Sequence, residues 1–118
     1  MKRAALDPQV LRAAVWSVRA LRSVRHQLGS RPLAEVFVPR PPALPRRAGR
    51  GVLAVLRRQD PTCLERSLVL QRWLAGQGQP RAVVVGVSAP DDFRAHAWLE
   101  GEHQPVGQPF HEIARLAP

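Results

Sequence analysis

The chain has 118 residues and one cysteine, which predicts a single domain over residues 1–118 without an internal disulfide framework. No apolar run can span a membrane and no uninterrupted apolar region follows basic Met1–Arg3, so we expect a cytoplasmic protein without a signal peptide or membrane contact. The net charge of +9 comes almost entirely from scattered arginines, without an RNA-binding aromatic platform, zinc finger or phosphate loop. We therefore expect an acidic peptide or protein partner and no nucleic acid.

The first helix is predicted to begin at Asp7–Pro8, where a capping residue precedes a proline, and to stop by Gly29–Ser30. Its apolar residues recur at helical spacing, so we expect one face of the helix to pack against the core. Trp16 and Leu28 are expected to extend this face. The residues that form it are Leu11, Ala14, Val15, Val18 and Leu21.

Residues 1–59 form the predicted helical part, interrupted by a proline-rich connector at residues 39–45. The segment Leu33–Val38 fits either a helical turn or a strand. The proline-rich connector resembles a polyproline ligand, but we interpret it as a surface connection between the helices. A second helix is predicted from Arg46 to Arg58, burying Val52, Leu53 and Leu56. The arginines of this second helix are interpreted either as a solvent-exposed face or as the lining of a substrate groove.

The only cysteine lies where a third helix is predicted to begin, running to about Ala75. Thr62 and Glu65 fit a capping box, although Asp60 followed by Pro61 offers an alternative start. In either case Cys63 falls in the first turn, where the positive end of the helix dipole favours a thiolate. The free N–H groups at that end could also stabilise an oxyanion.

The remainder of the chain predicts a small antiparallel sheet. Ala82–Val87 is a continuous apolar run typical of a central strand, and Phe93–Glu100 alternates as a half-buried strand does, with His96 on one face. The tail Phe110–Leu116 fits a strand or a short helix. Helices followed by an antiparallel sheet predict an α+β domain, with residues 60–118 carrying the cysteine helix and the sheet.

A cysteine at a helix N-terminus, followed by a histidine in a strand, is typical of papain-like and transglutaminase-like enzymes. A lone cysteine is more often a small buried residue, but the second element favours catalysis. A metal site built from Cys63, His96, His103 and His111 is the alternative, yet the spacing of these residues matches no compact zinc motif. We therefore expect neither a metal nor a cofactor.

Two motifs give a family resemblance, Pro61-Thr62-Cys63-Leu64-x-Arg66-Ser67-Leu68-x-Leu70 and His96-Ala97-Trp98-Leu99-Glu100. With both, the chain resembles the B protein of lasso-peptide biosynthesis in its split form, over roughly residues 52–108. That family consists of transglutaminase-like cysteine peptidases, which remove the leader from a ribosomally made precursor peptide. The resemblance implies Cys63 as nucleophile, His96 as general base, and two partners, a small leader-binding protein and a lasso cyclase.

The resemblance also implies an aspartate as third catalytic residue, and Gln108 occupies the matching position. If Gly101–His103 form a three-residue loop, His96 lies opposite Gln108 on the next strand, with Cβ atoms about 5 Å apart. A two-residue loop would set His96 against Gly107 instead. Glu100 shares the His96 face but lies roughly 13 Å from His96 along the strand, too far for its carboxylate to reach the ring. A glutamine carbonyl can accept the imidazole N–H, so Gln108 is the predicted third residue.

Two other functions remain open at this point. The first is acyl transfer to an amine, as in transglutaminases, which shares the covalent step and differs in the acceptor. The second is a non-catalytic peptide-binding module of the same fold, in which Cys63 is inert. Glu112 in the tail is the rival for the third residue.

Overall fold

Three helices precede a three-stranded antiparallel sheet in the computed structural model, which describes residues 7–87, 95–102 and 111–118. The helices are α1 (Pro8–Leu28), α2 (Gly49–Gln59) and α3 (Cys63–Gly76). The strands are β1 (Val83–Val87), β2 (Ala95–Leu99) and β3 (His111–Leu116). Single 3-10 turns lie at Leu33–Glu35 and Arg46–Ala48. The architecture confirms the predicted α+β class, and no helix in these described ranges is long and apolar enough to cross a membrane.

Helix α1 begins and ends where the sequence predicted. The Asp7 carboxylate accepts a hydrogen bond from the Gln9 N–H at 2.9 Å, and Pro8 occupies the first helical position. Arg47 also donates to Asp7, at 3.0 Å, which ties the start of α1 to the turn before α2. The Gln9 N–H, followed by the Arg47 guanidinium, lowers the pKa of Asp7.

The buried face of α1 differs from the predicted one. Leu21 and Trp16 are buried as predicted, but Leu11 and Val15 are 47 % and 53 % exposed, so this part of the predicted stripe is wrong. The helix instead packs through small residues, which allow close approach to its neighbours, and Ser17 can be buried there because its hydroxyl donates to the Ala13 carbonyl at 2.8 Å. The buried residues are Ala13, Trp16, Ser17, Ala20, Leu21, Val24 and Gln27.

Helices α1 and α2 cross at Gly51, which is buried. A Cβ at this position would overlap the Val10 carbonyl oxygen and lie 3.0 Å from the Ala14 nitrogen. Val52 and Leu56 are buried as predicted. Leu53 is 47 % exposed, however, because it lies on the side of α2 that turns away from α1, so its predicted burial is wrong.

Helix α2 ends at Asp60, which adopts a left-handed conformation with φ 48° and ψ 56°. That conformation stops the helix and redirects the chain into α3 after only two further residues. Asp60 is thus the C-cap of α2, and the alternative in which it caps the cysteine helix is wrong.

The sheet has the order β2-β1-β3, with both outer strands antiparallel to β1. The prediction of a central strand is confirmed, and the ambiguous tail is a strand. Val83, Ala97 and Leu99 belong to the core shared with the helices. Because side chains alternate along a strand, His96 and Trp98 leave β2 on the opposite face.

Candidate functional site

Cys63 is the first residue of α3, and the predicted capping box is present. The Thr62 hydroxyl accepts from the Glu65 N–H at 3.2 Å, and the Glu65 carboxylate accepts from the Thr62 N–H at 3.0 Å. The thiol is half-buried, so it is held by its surroundings and remains within reach of a substrate. This position places Cys63 in the first turn of α3, next to the backbone N–H groups that have no partner within the helix.

One arginine on α1 fixes the junction that carries the cysteine. Arg25 donates from Nε to the Glu65 carboxylate at 3.1 Å and from Nη2 to the Gln59 carbonyl at 3.0 Å. Its guanidinium therefore joins the last carbonyl of α2 to the capping residue of α3. Sequence reasoning missed this role because nothing local distinguishes Arg25 from the other arginines of the chain.

The Cys63 thiol lies at the outer edge of β2. The Ala97 N–H donates to Sγ at 3.3 Å, and in the described sheet β2 has a strand neighbour on one side only, β1. Sequence reasoning identified the strand but missed this donor, because an edge N–H becomes visible only once the strand order is known.

The structure therefore brings together the two elements that the sequence singled out. Ala97 directly follows His96, so the thiol lies one residue from the histidine along β2. The His96 ring is half-buried and stacks on Trp98, with centroids 5.7 Å apart and planes at 22°. His96 and Ala97 point to opposite faces of β2.

A second ion pair holds the far end of β2 against α3. Arg66 lies 3.3 Å from one oxygen of Glu102, and the other oxygen accepts from the Leu99 N–H at 2.8 Å. Arg66 is one turn from Cys63, so this contact helps to fix the cysteine helix relative to the histidine strand. The Ser67 hydroxyl is buried, with no hydrogen-bond partner among the described residues.

Glu112 lies in the same row of the sheet as His96. Gly86 pairs with His96 on one side and with Glu112 on the other, and directly paired residues share a face. Gly86, which separates them in the row, contributes no side chain, and the two outer strands lie two strand spacings apart, about 10 Å. The strand order that creates this row was not predictable from the sequence.

Arg115 holds the Glu112 carboxylate at 2.8 Å and also binds Glu100 at 2.9 Å. The hydrogen bond to Glu112 and, after it, the hydrogen bond to Glu100 raise the pKa of Arg115. Glu100, which the sequence placed too far along the strand to orient His96, therefore has a separate role in linking β2 to β3.

Gln108 and His103 lie outside the described residues, so the predicted third residue stays a prediction. Within the described residues, no group of three or more histidine, cysteine or carboxylate side chains is arranged to hold a metal ion.

Comparison with protein families gives one match. Residues 8–118 match the model of the transglutaminase-like superfamily, which covers all of the described helices and strands. No curated protein and no solved structure matches the sequence.

Proposed function

The chain belongs to the transglutaminase-like superfamily, and from that premise we propose that it is a cysteine peptidase that removes the leader from a lasso precursor peptide. The observation that carries the proposal is the Cys63 thiol at the N-terminus of α3, hydrogen-bonded at 3.3 Å to the strand that contains His96. Cysteine peptidases and acyltransferases both occur in this superfamily. The cysteine and histidine motifs favour the lasso leader peptidases among them.

The proposed reaction is hydrolysis of a peptide bond in two steps. The Cys63 thiolate attacks the scissile carbonyl carbon, and the His96 imidazolium protonates the departing amine as the carbon–nitrogen bond breaks. His96 then takes a proton from water, which attacks the thioester and releases the acid. The Cys63 backbone N–H, unpaired within the first turn of a helix, is the proposed donor to the oxyanion.

The proposal includes two partner proteins, a small leader-binding protein and a lasso cyclase. The basic charge of +9 supports an acidic peptide as substrate, since opposite charge accelerates encounter but gives little specificity. A separate leader-binding protein would supply that specificity by holding the leader at high effective concentration.

The experiment that tests the function is cleavage of a lasso precursor, followed by product masses, with and without the leader-binding partner. We expect two fragments whose masses sum to that of the precursor plus one water, and a faster rate when the partner is present. A fragment whose mass includes an added amine would show that the reaction is acyl transfer and not hydrolysis. Binding without any covalent product would instead support the inert peptide-binding module.

Gln108 is the proposed positioning residue for His96, because it occupies the position of the family's aspartate. We expect Gln108→Ala to lower kcat about tenfold with unchanged thermal stability, and Gln108→Asp to be as fast as the wild type or faster. The matched control is Glu112→Ala, the carboxylate in the His96 row. The assignment passes to Glu112 if that control abolishes turnover while Gln108→Ala retains full kcat.

A further inference from the structure

A groove runs between α2 and α3 along the side of α2 that faces away from α1. It consists of two cavities, of about 550 and 590 Å³, which share Leu53 as a lining residue. The first lies against the second half of α3, where Leu70 and Leu74 line it, and the second lies against its first turns. We call these two cavities together the α2–α3 groove.

The groove has an apolar floor beneath a basic rim. Leu53 is 47 % exposed and lines both cavities. Arg46, Arg50 and Arg57 line the rim at helical spacing along α2 and the turn before it. A ligand with both apolar side chains and negative charges fits this combination.

Two of the five arginines that line the groove are held in ion pairs. Arg47 is paired with Asp7 and Arg66 with Glu102. Within the described part of the chain, none of the three rim arginines forms an ion pair. Their charge is therefore available to carboxylates from outside the chain, and attraction between these groups is effective over about 10 Å at moderate salt.

One end of the groove lies at the turn before α3, and Cys63 itself lines neither cavity. Asp60 and Pro61 line that end, and Cys63 follows two residues after Pro61. Helix α2 has 11 residues and is about 16 Å long, a length that an extended peptide covers with about five residues. A peptide lying in the groove would therefore have its end presented to the first turn of α3.

We propose that the α2–α3 groove binds an acidic, leucine-type apolar segment of the substrate peptide and delivers the adjoining peptide bond to Cys63. This inference rests on the proposed function and adds the chemistry of the substrate segment. A substrate peptide is the favoured occupant because Asp60 and Pro61, which line one cavity, lead directly into the Cys63 turn, and because the lining arginines complement carboxylates. The apolar floor also distinguishes the groove from a phosphate-binding surface.

The test separates binding from cleavage. The full chain carrying Cys63→Ala is titrated with a fluorescein-labelled synthetic peptide of glutamates and leucines, and with the same peptide in which glutamine replaces glutamate. We expect the acidic peptide to bind, and the pair Arg50→Gln and Arg57→Gln to raise its Kd about threefold to tenfold, as expected for two partly exposed ion pairs. The glutamine peptide should bind weakly to both proteins.

The matched control removes two exposed arginines that line neither cavity of the groove, Arg22→Gln on α1 and Arg58→Gln on α2, so that net charge falls equally. We expect this pair to change Kd less than twofold. An equal loss of affinity in both double variants would overturn the proposal that the groove binds the peptide, because it would indicate a general effect of net charge. In the active protein, the groove variants should raise KM with little change in kcat.

The outcomes also distinguish this inference from the proposed function. Cleavage of the precursor with an unchanged KM in the groove variants would overturn the groove and leave the peptidase intact. Binding of the acidic peptide without cleavage by the wild type would support the groove and overturn the peptidase. If the groove variants lost only the stimulation by the leader-binding partner, the groove would bind that partner and the inference would be wrong.

Discussion

Replacing Cys63 with alanine is expected to abolish cleavage of the precursor while leaving the fold intact. The thiol is the only proposed nucleophile, and removing a nucleophile lowers kcat by at least ~10³-fold in comparable enzymes. The fold should persist because Thr62 and Glu65 cap α3 without using the thiol. The lost contact is one N–H to sulfur hydrogen bond at 3.3 Å. Initial rates and thermal unfolding together measure both effects.

Chemical labelling provides the control for this substitution. Iodoacetamide should alkylate Cys63 in the wild type near neutral pH and stop cleavage to the same extent as the alanine variant. His96→Ala should also lose activity but should keep a free thiol. Full activity in Cys63→Ala would refute the peptidase proposal, since the sequence has no second cysteine.

Replacing Gly51 with alanine is expected to destabilise the whole domain. Alanine is intrinsically better in a helix by about 1 kcal/mol, so a gain in stability would be the default expectation. At Gly51 the added Cβ would overlap the Val10 carbonyl oxygen and approach the Ala14 nitrogen to 3.0 Å. Both are backbone atoms of α1 and cannot rotate away. We expect a net loss of about 1–3 kcal/mol and a fall in Tm of roughly 5 °C or more.

Gly29→Ala is the matched control for the Gly51 substitution. Gly29 has an ordinary φ of −81°, and the nearest atom to an added Cβ is the His26 carbonyl oxygen at 3.6 Å. That substitution should leave Tm nearly unchanged or slightly raised. Equal Tm values for the two variants would show that the close crossing of α1 and α2 does not limit stability.

Local signals predicted the parts of the site that lie within a few residues of one another. Thr62 and Glu65 are three positions apart, so their capping box could be identified from the sequence and fixed the start of α3. The alternation around His96 likewise identified β2. Asp60 was ambiguous, since the same residue type favours a helix N-cap and a left-handed C-cap.

Features that depend on distant parts of the chain could not be predicted. The buried face of α1 follows from close packing through Ala13 and Ala20, whereas a count of large apolar residues selects Leu11 and Val15. The row that joins His96 to Glu112 requires the strand order, in which the last strand pairs with the first. The assignment of Gln108 as third residue depends on the register of a hairpin that lies outside the described residues.

The brace formed by Arg25 makes the geometry of the nucleophile depend on the integrity of α1. Its guanidinium holds the Gln59 carbonyl and the Glu65 carboxylate at the same time, so detachment of α1 would release both ends of the cysteine turn together. Local opening of α1 would thus remove two contacts from the turn that carries Cys63. The first helix, which contributes no reacting atom to the proposed chemistry, therefore helps to hold that turn in place through the Arg25 guanidinium.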